Sequence, residues 1–204
     1  CSSDLVLRQR TMQDFVQSRG DQLKKKIRFA CVLGLARIGG TQSAFAHVVL
    51  AEPKAIAGTY YKATLRVGHG CHGSSTNGLV VQVPSGFQGA KPQPKFGWTL
   101  ATRKAKLAIP YNSHGKTVTD DVVELRWTAV SKEAALPDEQ FDEFAFMGRL
   151  PDGAGPMWVK ILQTCESGQN DWSEIPANGT STRGMKLPAA LLDVQPAPTH
   201  EHHH

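Results

Sequence analysis

The chain is 204 residues long and carries 23 Lys and Arg against 18 Asp and Glu, a formal charge of +5. Such an excess ordinarily points to nucleic acid or an anionic surface, but eight of the basic residues fall within the first 46, and residues 47–204 hold 15 basic and 15 acidic side chains. No nucleic-acid partner is therefore expected, and no run after residue 46 approaches the roughly 18 consecutive apolar residues of a membrane span.

Residues 1–46, first in chain order, read as an N-terminal extension followed by a secretory leader. Lys24-Lys25-Lys26-Ile27-Arg28 forms a positive segment, Phe29 to Gly39 a mostly apolar one interrupted by Arg37, and Ala44-Phe45-Ala46 a small-x-small cleavage pattern. The competing assignment is an amphipathic first helix of a cytosolic domain. Residues 1 to about 20 lack an initiator Met and precede a complete leader, as expected of an over-extended reading frame. Cleavage between Ala46 and His47 would leave His47 as the first residue of a periplasmic or secreted protein.

Short β-prone runs punctuated by Gly and Pro follow. Val48 to Leu50, Tyr60 to Val67, Leu79 to Val83, Trp98 to Leu107, Val118 to Trp127, Glu143 to Met147 and Trp158 to Cys165 are predicted strands. Apolar and polar residues alternate in Tyr61 to Val67 and in Val123 to Trp127, as in strands with one wet face. Pro84-Ser85-Gly86, Pro92-Gln93-Pro94, Asn112-Ser113-His114-Gly115 and Pro151 to Pro156 break the runs. About seven such strands without a long helix predict an all-β, immunoglobulin-like antiparallel β-sandwich spanning residues 47–180. Residues 181–204 turn to Pro and Ala, end in His-Glu-His-His-His, and read as a flexible tail.

Of four cysteines, Cys71 and Cys165 remain after cleavage. One pair in an exported protein is expected to form a disulfide; two buried or redox-active thiols are the alternatives. No phosphate loop, hydrolytic nucleophile or dinucleotide fingerprint is present, and Gly68-His69-Gly70-Cys71-His72-Gly73 has the wrong register for the last. Binding is favoured over catalysis.

His47 is the chemical exception. An N-terminal histidine offers its α-amine and its ring Nδ1 to one metal, and imidazole and amine donors suit Cu(II). The amine's ordinary pKa of about 7.7–8.0 means a metal displaces only one weakly held proton near neutrality. The alternative is an exposed polar residue that happens to follow a cleavage site.

Ala46-His47-Val48, Phe96-Gly97-Trp98, Glu124-Leu125-Arg126-Trp127, Phe141 to Phe146, Leu150-Pro151-Asp152, Gln163 to Gly168 and Trp172-Ser173-Glu174-Ile175-Pro176 occur in an order and spacing that resembles the YcnI-type copper-binding domain family. Arg37 in the leader and Thr128 after Trp127 depart from that pattern. The resemblance implies an exported sandwich that binds Cu(II) through a mono-histidine brace, the amine and ring of His47, completed by a carboxylate with a tryptophan nearby. It places the carboxylate at Glu143, with Glu124, Glu133 and Glu139 as competitors, and the tryptophan at Trp158. Trp98 and Trp127 are expected in the core.

His69 and His72 flank Cys71 and are accessory metal candidates, as are His200, His202, His203 and His204 at the end of the chain. The preferred function is a non-enzymatic copper chaperone or homeostasis factor that passes copper to another periplasmic protein or a membrane transporter. A copper-dependent oxidoreductase of the histidine-brace type and a metal-free immunoglobulin-like structural module are the alternatives.

Overall fold

Strand β3 (Tyr60–Val67) shows how the sequence pattern becomes a layer: Tyr61, Ala63, Leu65 and Val67 are buried while Tyr60, Lys62 and Arg66 face solvent. The computed structural model describes residues 47–198; the leader expected within residues 1–46, and His200, His202, His203 and His204, lie outside the described residues. The other strands are β1 (Val49–Leu50), β2 (Lys54–Ile56), β4 (Thr76–Gln82), β5 (Gln88–Pro92), β6 (Trp98–Ser113), β7 (Lys116–Ala129), β8 (Asp142–Arg149), β9 (Gly155–Cys165), β10 (Gln169–Trp172) and β11 (Ala190–Gln195). They form a four-stranded sheet in the order β1-β3-β8-β5 and a seven-stranded sheet in the order β2-β11-β9-β4-β7-β6, with β10 also on β9. Pairing is antiparallel except for β2 with β11, which is parallel.

The core lies between the sheets. Leu65, Val67, Phe144 and Phe146 of the smaller sheet meet Leu79, Val81, Leu125, Trp127, Ile161 and Leu192 of the larger. Phe144 packs edge-on against both Trp98, at 4.9 Å between ring centroids, and Trp127, at 5.8 Å. These two tryptophans are core residues, as expected. No helix among the described residues is long and apolar enough to cross a membrane.

All seven expected strands are present, and β2, β5, β10 and β11 are additional. β11 corrects the expected boundary at residue 180: part of the supposed tail, Ala190–Gln195, is an internal strand between β2 and β9 with Ala190, Leu192 and Val194 buried. Its Ala-Leu-Leu-Asp-Val-Gln sequence alternates as an inner strand does, but the surrounding prolines mask it in a compositional reading. The β6–β7 hairpin runs further than expected, to a two-residue turn in which His114 and Gly115 have φ of 49° and 75°. Both values match the hairpin turn that suits right-handed strand twist.

Two tyrosines on this scaffold supply a pH test. Burial, and then the charge of Glu52, push the Tyr61 phenol up to about 12; burial and the hydrogen bond that Tyr111 donates to Asp121 push Tyr111 up to about 12. Both groups ionise more readily when unfolded, near pH 10. Their stabilising effect is thus complete below about pH 10 and is lost as pH rises towards 12. An ultraviolet titration should show late phenolate absorbance that coincides with alkaline loss of structure. Full ionisation of both near pH 10 in the folded protein would contradict this.

Candidate metal centre

β1 brings His47 to one end of the sandwich. Val49 pairs with Arg66 and Leu50 with Leu65 of β3, so the chain preceding β1 meets the loop that leaves β3. His47 is half-buried and its ring stands edge-on to Trp172, 5.5 Å between centroids. The ring of His69, in the loop after β3, stands edge-on to the same indole at 6.3 Å. A cavity of about 300 Å³ opens beside His47, lined among others by Val48, Pro53, Thr180 and Ala189.

Trp172 is held by a buried glutamine. β10 pairs with β9 so that Trp172 lies opposite Ile161, and both point into the core. Gln163, fully buried on the same face of β9, accepts hydrogen bonds from Trp172 Nε1 at 3.0 Å and Asn170 Nδ2 at 3.4 Å. Its amide donates to the His69 carbonyl at 2.8 Å and to Thr76 Oγ1 at 2.7 Å. All four bonds available to a buried primary amide are made. One side chain therefore ties the indole to the loop that carries His69.

That loop is anchored at three further points. Gly70 N donates to Asp138 Oδ1 at 2.9 Å, and Cys71 is bridged to Cys165. Cys71 and Ser74 exchange backbone hydrogen bonds of 3.0 and 3.1 Å around a turn in which His72 has φ of 53°. Gly70 admits no side chain, since a Cβ there would lie 1.8 Å from the Ser74 carbonyl oxygen. The expected disulfide is present, so Cys71 is unavailable as a thiolate ligand. His72 is exposed at the tip of the turn, and no ring contact joins it to Trp172.

Two residues assigned to the site from resemblance fall elsewhere. Trp158 lies on β9 between buried Met157 and Val159 and so faces away from the core, opposite Leu191 and beside Pro84 and Pro156. Strand alternation puts it on the other face of the sheet from Trp172; Trp172 is the tryptophan at His47. Glu143 is exposed on β8 and receives Arg66 Nε at 3.1 Å and Nη2 at 2.9 Å, and β3 separates its strand from β1. Its carboxylate is the partner of an arginine rather than a neighbour of His47. Among its competitors, Glu124 sits between Gln82, Arg103 and Arg126. Burial opposes its charge, but these three hydrogen-bond donors outweigh burial and hold the carboxyl below its ordinary range. Glu133 and Glu139 are exposed.

Gln163 and Asp138 were missed from sequence. The first had a signal: in Met157, Val159, Ile161, Gln163, Cys165 it is the polar member of an inward-facing series. Asp138 had none, because its role depends on a backbone amide 68 residues away. Among the described residues no three His, Cys, Asp or Glu side chains gather to hold a metal ion.

The two-sheet architecture defines an immunoglobulin-like β-sandwich. A crystal structure of an uncharacterised protein from Nocardia farcinica with an immunoglobulin-like fold aligns with 72% of this chain and 97% of its own, at 24% identity and a TM-score of 0.56. Residues 47–194 match the family described as a domain of unknown function, DUF1775, which is the YcnI-like family domain, and the chain belongs to that family. No curated protein matches it.

Proposed function

We propose that the protein is an exported Cu(II)-binding carrier whose cargo is held by the α-amine and ring of His47 once the chain is cleaved after Ala46. The observation that carries this proposal is the placing of the His47 ring, half-exposed, edge-on to an indole fixed by Gln163. The family match also begins at His47, directly after the small-x-small pattern. Since the described side chains contain no three-residue metal cluster, a tight site at His47 needs a donor of another kind, and a free amine supplies one. Amine and imidazole nitrogen together suit Cu(II).

Trp172 takes the place first given to Trp158. Its indole stands edge-on to the His47 ring, 5.5 Å between centroids, and sets an aromatic π system beside the imidazole. His47 is only half-buried, which leaves part of the residue within reach of a partner protein or membrane transporter. This accessibility favours transfer of copper over its permanent retention.

The test compares the processed protein with one that keeps a single extra residue before His47. That residue converts the amine to an amide and leaves the imidazole intact. The extended protein should bind Cu(II) at least about 100-fold more weakly, roughly 2.8 kcal/mol, with a changed electron paramagnetic resonance spectrum. Equal affinity and spectrum in the two proteins, or a mature start other than His47 by intact mass, would sink the proposal.

A further inference from the structure

We infer that His69 is a second imidazole ligand of the same ion, so that the site has three nitrogens: the amine and ring of His47 and the ring of His69. This rests on the copper proposal above and deepens it. Strand pairing brings the segments that carry the two histidines to one end of the sheet. Val49 opposite Arg66 and Leu50 opposite Leu65 fix an antiparallel register that, continued outwards, sets His47 against Gly68, one residue from His69. Both rings then meet one indole, at 5.5 and 6.3 Å.

The orientation of the His69 ring fits a ligand. Its Nδ1 lies 2.5 Å from the Gly70 carbonyl oxygen, and a carbonyl only accepts, so Nδ1 carries the proton. In the neutral ring Nε2 is then the lone-pair nitrogen. A ring N–H donated to a backbone carbonyl is the usual support of a metal-bound histidine.

The segment is also built to hold still. Gln163 grips the His69 carbonyl, Asp138 grips the Gly70 amide, the disulfide grips Cys71, and the lack of room at Gly70 enforces the backbone path. Restraint of this kind fixes a ligand before the metal arrives and lowers the entropic cost of binding. With Cys71 oxidised, the loop offers the ion imidazole and no sulfur, which again favours Cu(II) over softer ions.

Pulsed electron paramagnetic resonance of the processed, Cu(II)-loaded protein counts coupled imidazoles without any substitution. Two are expected. His69→Ala should reduce the count to one and weaken Cu(II) by roughly 100-fold, the top of the range for losing even a ligand's supporting hydrogen bond. The same variant should keep its disulfide and a melting midpoint within a few degrees of the parent. A single imidazole in the parent that disappears with His47→Ala and ignores His69→Ala would overturn this inference and leave the His47 site standing. Two imidazoles that persist in His69→Ala would assign the second to another histidine and overturn it equally. Copper binding indifferent to both His47→Ala and a blocked amine would overturn the copper proposal and this inference with it.

Discussion

A chain ending at Ala189 should fail to fold, while one ending at Pro198 should keep the native domain. β11 is flanked on both sides in its sheet: five of its residues pair with β9 and three with β2. Removing it exposes the apolar surroundings of Leu192 and Val194, which are 1% and 2% exposed. Full burial of each such side chain contributes about 1.5–3 kcal/mol. The lost ladder also leaves backbone groups of β9 without partners and detaches β2 from its sheet neighbour. Together these losses rival the about 5–15 kcal/mol that holds a typical domain together. Circular dichroism, thermal melting and dispersion of amide resonances would compare the two truncations. A cooperative melt for the shorter chain would show that β11 is an attachment and not part of the fold.

This strand shows where the sequence was legible. Strands such as β3 and β9 alternate over 8 and 11 residues, long enough for period-two patterning to outweigh composition. β11 has six residues amid proline, and β2 and β5 have only three and five; for these, pairing with distant neighbours decides the conformation. Lys91-Pro92 at the end of β5 illustrates the limit, because Pro is tolerated on that edge strand and reads locally as a breaker.

The site was legible in part for the same reason. The Cys71–Cys165 bridge could be read because only two cysteines follow the expected cleavage pattern, and the same local pattern made His47 the candidate ligand. Partners of His47 could not, since they depend on which face of which strand a residue occupies. Trp158 and Trp172 are both on strands of one sheet, yet a single-residue change in parity along β9 sends them to opposite faces. Glu143 was assigned from the family resemblance, and the charge of Arg66 directly across the ladder claims its carboxylate.

Replacing both bridged cysteines, Cys71→Ala with Cys165→Ala, should lower stability by about 4–5 kcal/mol. The bridge closes a loop with a sequence separation of 94, and in the chain-entropy account a loop of that length restrains the unfolded state by nearly this amount. For a domain of this size about 1 kcal/mol moves the midpoint by roughly 2–4 °C, so a fall of about 8–20 °C is expected. The bridge also joins the loop after β3 to the end of β9, two residues beyond His69 and two beyond Gln163. With the covalent tie gone, that loop keeps the Gln163 and Asp138 hydrogen bonds, which are local and survive while the fold does. Copper affinity measured well below the midpoint should therefore fall much less than stability does. Urea denaturation with an unchanged slope, alongside Cu(II) titration of the same variant, separates the two effects. A stability loss under about 1 kcal/mol would mean that the unfolded chain is already restrained without the bridge. A copper loss as large as that of His69→Ala in a still-folded variant would mean that the disulfide, and not the hydrogen bonds to Gln163 and Asp138, is what holds the loop in place.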